Sequence, residues 1–204
     1  MSRGLRTGAR SLAAAAERLK QNAAVCAPFT LSFLTDADRI AAPEPVIRAM
    51  PEGAAVILRD YSMPRRGAYA ARLRALCARY GLIFLVGADI ALAKKVRANG
   101  VHLPSWALHE KSPDLAGLIV TAACHDEADL RLAAQRGADA VYISPVFPTQ
   151  SHPSAGTLGP ERLKALAGVS TPPVMALGGV DQTNAALLAH RNVVGFGAIG
   201  AFSR

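Results

Sequence analysis

The stretch Pro173-Val-Met-Ala-Leu-Gly-Gly-Val-Asp181 decides the fold. An apolar run ends in two glycines, and an aspartate suited to cap a helix follows. The run lacks period-two alternation, so it reads as a strand covered on both faces. Residues 181–189 read as the next helix. Val193-Val-Gly-Phe-Gly-Ala-Ile199 then reads as another buried strand, closing on Gly200. Strand, glycine turn, helix and strand in succession form the repeating unit of a parallel sheet.

Upstream the unit recurs. Runs rich in Val, Ile and Leu at 29–34, 54–59, 82–87, 100–103, 117–123 and 138–144 bring the expected strands to eight. Helix-like stretches fall at 43–50, 67–80, 89–98, 126–136 and 160–167. Eight strands in strict alternation predict a (β/α)8 TIM barrel. An open doubly wound sheet is the alternative, but the first strand–helix turn has no GxGxxG, and the glycine-rich turns come late. Arg204 falls directly after strand eight, so we expect no C-terminal eighth helix. Before strand one, residues 10–22 carry Leu12, Ala15, Ala16 and Leu19 at helical spacing. We expect that N-terminal helix to cover the vacant slot, or to pack on a neighbouring barrel in a homodimer. The expected division is a basic N-terminal arm and helix over 1–28 and a phosphate-binding barrel over 29–204.

Composition agrees with one globular unit. Of 204 residues, 51% are apolar and 19% charged, and mean hydropathy is +0.21. A chain of this length buries roughly 70% of its unfolded surface, so a core needs no disulfide or metal staples. No run approaches the roughly 18–20 apolar residues of a membrane span. Cys26, Cys77 and Cys124 are far apart and form no CxxC pair, so we expect three buried thiols in a cytoplasmic protein. The Arg-rich start resembles a transit peptide, but nothing marks a cleavage site. Half of the net charge of +8 sits in the first twenty residues, and no basic stripe is interleaved with aromatics. That argues against nucleic acid, and a moderate excess suits a small anion.

The candidate chemistry gathers at strand ends. Gly178-Gly179 and Ile199-Gly200 end strands seven and eight, the usual phosphate corner of this barrel, where side-chain-free turns bring backbone N–H groups to an anion. Either turn alone could simply need positive φ. The polar segment 144–159 supplies Thr149, Ser151 and His152 as donors to phosphate or a heterocycle, unless it is only a surface loop. Arg59 ends strand two, where it would pair an anion or a structural carboxylate. His125 follows strand five, as a proton carrier or as a polar residue at a helix start. His102 lies within strand four, as a ligand contact or a packed core residue.

Taken in order, Val101-His-Leu-Pro-Ser105, His125, Gly137-Ala-Asp139, Pro145-Val-Phe-Pro-Thr149, Ala176-Leu-Gly-Gly-Val180 and Gly195 resemble the thiamine phosphate synthase/TenI superfamily over about residues 29–202. The resemblance implies a (β/α)8 barrel that binds a thiazole phosphate. It also implies one of two activities. The synthase branch joins that ligand to a pyrimidine diphosphate with Mg2+, and the TenI branch tautomerises a thiazole carboxylate phosphate.

Single positions separate the branches. The synthase pattern has Gln-x-Arg-x-Lys after strand two, Asn-Asp after strand three, Gln-x-Asp after strand four and a lysine in the strand-six loop. Here strand two keeps only Arg59, with Arg65 and Arg66 downstream as replacements for the lysine. Strand three ends Gly87-Ala88, strand four continues Pro104-Ser105-Trp106-Ala107, and His152 stands for the loop lysine. Asp60 and Asp89 read as caps or surface groups rather than metal ligands. Mg2+ needs oxygen ligands, so the expectation is no metal and no cofactor, with Mg2+ only if the synthase alternative holds. Leu103-Pro104-Ser105 and His125 match the TenI pattern, which makes a tautomerase using His125 the leading expectation. A divergent synthase and a catalytically silent phosphate binder are the alternatives.

Overall fold

The computed structural model describes residues 3–110, 114–149 and 156–203. Its strands are β1 (Leu31–Leu34), β2 (Ala55–Leu58), β3 (Ile83–Gly87), β4 (Gly100–Leu103), β5 (Ile119–Cys124), β6 (Ala140–Ile143), β7 (Val174–Ala176) and β8 (Val193–Ala198). All eight lie within a residue or two of the expected runs. They pair in parallel as one closed barrel in chain order. The seam joins β1 to β8, with Leu31 opposite Phe196, Ser32 opposite Gly197 and Phe33 opposite Ala198.

Mostly apolar strands give two layers of core. Side chains of one phase, including Leu34, Ile57, Leu85, Tyr142 and Met175, fill the barrel interior. The other phase, including Phe33, Val56, Phe84, Val101 and Val141, packs outward under the helices. Gly197 serves the interior: a Cβ there would lie 2.8 Å from Leu34 Cδ1 and 3.0 Å from Tyr142 Cε1. Its missing side chain is the space those two occupy.

The helices are α1 (Arg3–Asn22), α2 (Glu44–Ala49), α3 (Arg66–Arg79), α4 (Ile90–Lys95), α5 (Glu127–Gln135) and α6 (Gly159–Val169). Asp89 and Asp126 cap α4 and α5, accepting from Leu92 N at 2.8 Å and Asp129 N at 2.9 Å. α1 begins earlier than its apolar spacing suggested. It packs on its own barrel, against β8, α2 and the 3-10 turns Ala185–Leu188 and Gly200–Ser203. Leu12, Ala16 and Leu19 are wholly shielded.

Two expectations change. The helix of 181–189 shrinks to the 3-10 turn Ala185–Leu188. Asp181 instead folds its carboxylate onto Thr183, accepting from the backbone N at 2.8 Å and from Oγ1 at 2.6 Å. Such local side-chain bonds compete with helix formation, and α1 occupies the neighbouring space. Of the thiols, Cys77 and Cys124 are buried, and burial pushes both up to about 12. Cys26 is exposed on the segment between α1 and β1, contrary to its expected burial. Among the described residues, no helix is long and apolar enough to cross a membrane.

The seat of α1 predicts that removing residues 1–22 makes the chain aggregate, because the outer face of β8 is bared. In the full chain, Leu12→Ala should cost about 2–5 kcal/mol, read from urea denaturation. A soluble, fully folded truncation would show that the slot is closed another way.

Candidate functional site

The loops at the carboxyl ends of the strands surround a cavity of about 470 Å³. It brings together Arg59, His125, Thr149, Gly178, Gly179, Ile199 and Gly200, with Arg39, Ser144 and Asp181 on the same wall. Ser151 and His152 lie outside the described residues.

The phosphate-type corner is built from backbone. Gly178 and Gly179 have φ of +92° and +66°, a region that favours glycine. The space is closed to side chains as well. A Cβ on Gly179 would lie 2.6 Å from Pro148 O and 2.8 Å from Phe147 Cβ. The turn is anchored on both sides, by Phe147 N donating to Gly178 O at 2.9 Å and by Asn184 Nδ2 donating to Gly179 O at 2.9 Å.

His125 stands exposed at the end of β5, where its backbone N–H is held by Asp129 at 2.8 Å. Its Nδ1 lies 2.9 Å from the carbonyl oxygen of Ser144. A carbonyl only accepts, so Nδ1 carries the proton of that bond. In the neutral ring the lone pair is therefore on Nε2, which leaves that nitrogen able to take a proton.

Arg59 lines the cavity but is drawn to Asp36, with Nη2 2.6 Å from Oδ2. Asp60 accepts from Thr35 Oγ1 at 2.5 Å and from Ala37 N at 2.8 Å. Arg66 does not replace a lysine in the mouth. It turns inward, donating from Nε to Asp60 O at 2.9 Å and from Nη2 to Gly87 O at 2.7 Å. Burial lowers its pKa, and Asp89, Tyr61 and Asp60 offset part of that shift.

These commitments bear on Mg2+. After β3 and β4 the chain offers Gly87-Ala88 and Pro104-Ser105, Asp36 and Asp60 are engaged as described, and Asp89 caps α4. Among the described residues, no group of three or more His, Cys, Asp and Glu is placed to hold an ion. The donor set does not fit a protein-anchored Mg2+.

His102 is not on the cavity wall. It lies in the barrel interior, 3% exposed, with Nδ1 3.0 Å from Thr121 Oγ1 and its ring edge-on to Tyr142 at 5.4 Å. Tyr142 in turn donates to Ser32 Oγ at 2.7 Å. Arg39 is the reverse case, a cavity residue that the sequence reading passed over. The available signal was its place in the turn after β1, since barrel sites are built from loops following strands.

Fold and cavity define a (β/α)8 barrel with its pocket at the carboxyl ends of the strands. The chain belongs to the thiamine monophosphate synthase family, whose model matches residues 31–202. It is 39% identical over 128 residues to a thiamine-phosphate synthase of Thioalkalivibrio sulfidiphilus, covering 61% of each chain. It is 32% identical over 187 residues to that of Chlorobium limicola, covering 87% of each. This chain thus spans about three fifths of the length of the first relative and most of the second. Among solved structures, a thiamine phosphate pyrophosphorylase from Pyrococcus furiosus superposes with a TM-score of 0.66 at 26% identity, covering 83% of this chain and 85% of that one.

His102 makes stability depend on pH. Burial, helped by the charge of Arg59, lowers its pKa from 6.5 to about 4. The unfolded chain therefore binds the proton first. Stability is full above about pH 6.5 and falls as pH drops toward 4, by on the order of 3 kcal/mol. Urea midpoints at pH 7 and pH 4.5 should show this fall, and His102→Gln should flatten it. An equal fall in the variant would assign the slope to other groups.

Proposed function

We propose that this chain is a transferase of the thiamine-phosphate synthase type, which joins a thiazole phosphate to a pyrimidine delivered as its diphosphate. The observation that carries the reading is the convergence of the Gly178-Gly179 and Ile199-Gly200 turns on one cavity, in a chain whose relatives bear the synthase name. Backbone N–H groups of Gly179 and of Ile199 to Gly200 would hold the thiazole phosphate. A cavity of about 470 Å³ is in the usual range for a small ligand. The reaction releases diphosphate, so charge must be met as it departs. Arg59 and Arg39 are the guanidinium groups on that wall. Asp36 holds Arg59 in place, and would have to share it with an incoming anion.

One observation favours a second reading, the tautomerase. The Ser144 carbonyl fixes the His125 tautomer and leaves Nε2 as a base. A histidine so held can accept a proton from a ring carbon and return it elsewhere. The relatives' names weigh toward the synthase, so the tautomerase takes second place.

The two readings part in one assay. Purified chain given a thiazole phosphate, a pyrimidine diphosphate and Mg2+ should form thiamine phosphate and release diphosphate. No such product, together with an ultraviolet change on thiazole carboxylate phosphate, would overturn the synthase reading. In that event His125→Ala should lower turnover about 10²- to 10⁴-fold, with ligand affinity within a few-fold. Given the donor set, binding of thiazole phosphate alone should be equal in Mg2+ and in EDTA.

A further inference from the structure

The β1–α2 loop carries Arg39 across the seam of the barrel to the exit of β8. Arg39 and Arg59 both line the cavity. The guanidinium of Arg39 lies against Gly200, in the volume a side chain there would take. The three heavy atoms nearest to an added Cβ are Arg39 Nη2, Cζ and Nη1. Gly200 is not among the positive-φ residues. Its lack of a side chain therefore serves to admit Arg39, not to relieve the backbone.

The turn that presents Arg39 is already built. Asp60 clamps its start through Thr35 Oγ1 and Ala37 N. The Asp36 carbonyl accepts from Arg39 N at 3.1 Å and from Ile40 N at 2.8 Å, and Ile40 packs on the core. A side chain delivered on a fixed turn loses less freedom when it binds.

We propose that Arg39 is the side-chain clamp for the ligand's phosphate, closing over the backbone corner of Gly179 and Gly200. This rests on the phosphate ligand of the proposed function. A guanidinium presents parallel N–H donors matched to two phosphate oxygens. Backbone N–H groups supply direction but no net charge. Arg39 adds the charge that selects a phosphate monoester over the corresponding alcohol.

The test is calorimetric titration of the full chain with thiazole phosphate, inorganic phosphate and the unphosphorylated thiazole alcohol. Arg39→Ala should weaken both phosphate ligands about 10- to 100-fold and leave the alcohol unchanged. Arg39→Lys should recover part of the loss, since it restores charge without the fork. Gly200→Ala keeps the N–H and the arginine but displaces the guanidinium, so it should weaken both phosphate ligands by no more than Arg39→Ala does. The double variant should be no weaker than the worse single one. Circular dichroism checks that each variant folds.

Wild-type affinity in Arg39→Ala, or an equal loss for phosphate and alcohol, would overturn the clamp. So would losses that add in the double variant. Wild-type chain that binds neither phosphate ligand would instead overturn the proposed function.

Discussion

The pairing of β1 with β8 is the constraint on which the remaining architecture depends. It joins segments from opposite ends of the chain, and its register sets Ser32 against Gly197. That one small residue lets Leu34 and Tyr142 meet in the interior, where Tyr142 finds its hydrogen bond on Ser32. The same seam sets the loop after β1 beside the loop after β8, so Arg39 reaches Gly200. It also completes the outer surface on which α1 lies. Packing, polar satisfaction and the cavity wall share a single origin.

Charge is spent unevenly around the mouth. On the side of β1 to β4, arginines and aspartates bond one another or the ends of strands. Asp60 ties two loops together, Arg59 meets Asp36, and Arg66 fills carbonyls that the parallel ladder leaves open. Buried carbonyls without donors would be costly, so Arg66 acts as an internal cross-tie. On the side of β6 to β8, the wall is mostly backbone and small side chains, including Gly178, Gly179, Gly197 and Gly200. One half of the rim is braced by charged side chains, and among the described residues the other is lined mainly by backbone and small groups.

The barrel was legible because buried parallel strands write themselves as apolar runs, and glycines mark where those runs end. The backbone corner at Gly178, Gly179 and Gly200 could be located for the same reason. What escaped depends on contacts between distant segments. For His102 the sequence left a ligand contact and a packed core residue both open, and strand phase decides for the core by turning it inward onto Thr121. Arg66 looks like a spare cation, until the carbonyls of Leu58 and Gly87 are seen to claim it. Arg39 carries no motif beyond its place after β1, and closure of the barrel brings it to Gly200. The shortened segment near Asp181 followed from side-chain bonds that residue type permits but does not demand.

The position of α1 bears on how the molecule acquires its shape. The segment that seals the last gap is translated before every barrel strand, but the strand it covers is translated after the other seven. Until β8 exists, the stripe of Leu12, Ala16 and Leu19 lacks the main native surface it covers. Contacts of such long sequence separation slow folding, and apolar surface left waiting invites association. The four arginines and lysines on that helix between Arg6 and Lys20 would keep the early segment hydrated and mutually repelling on a crowded ribosome.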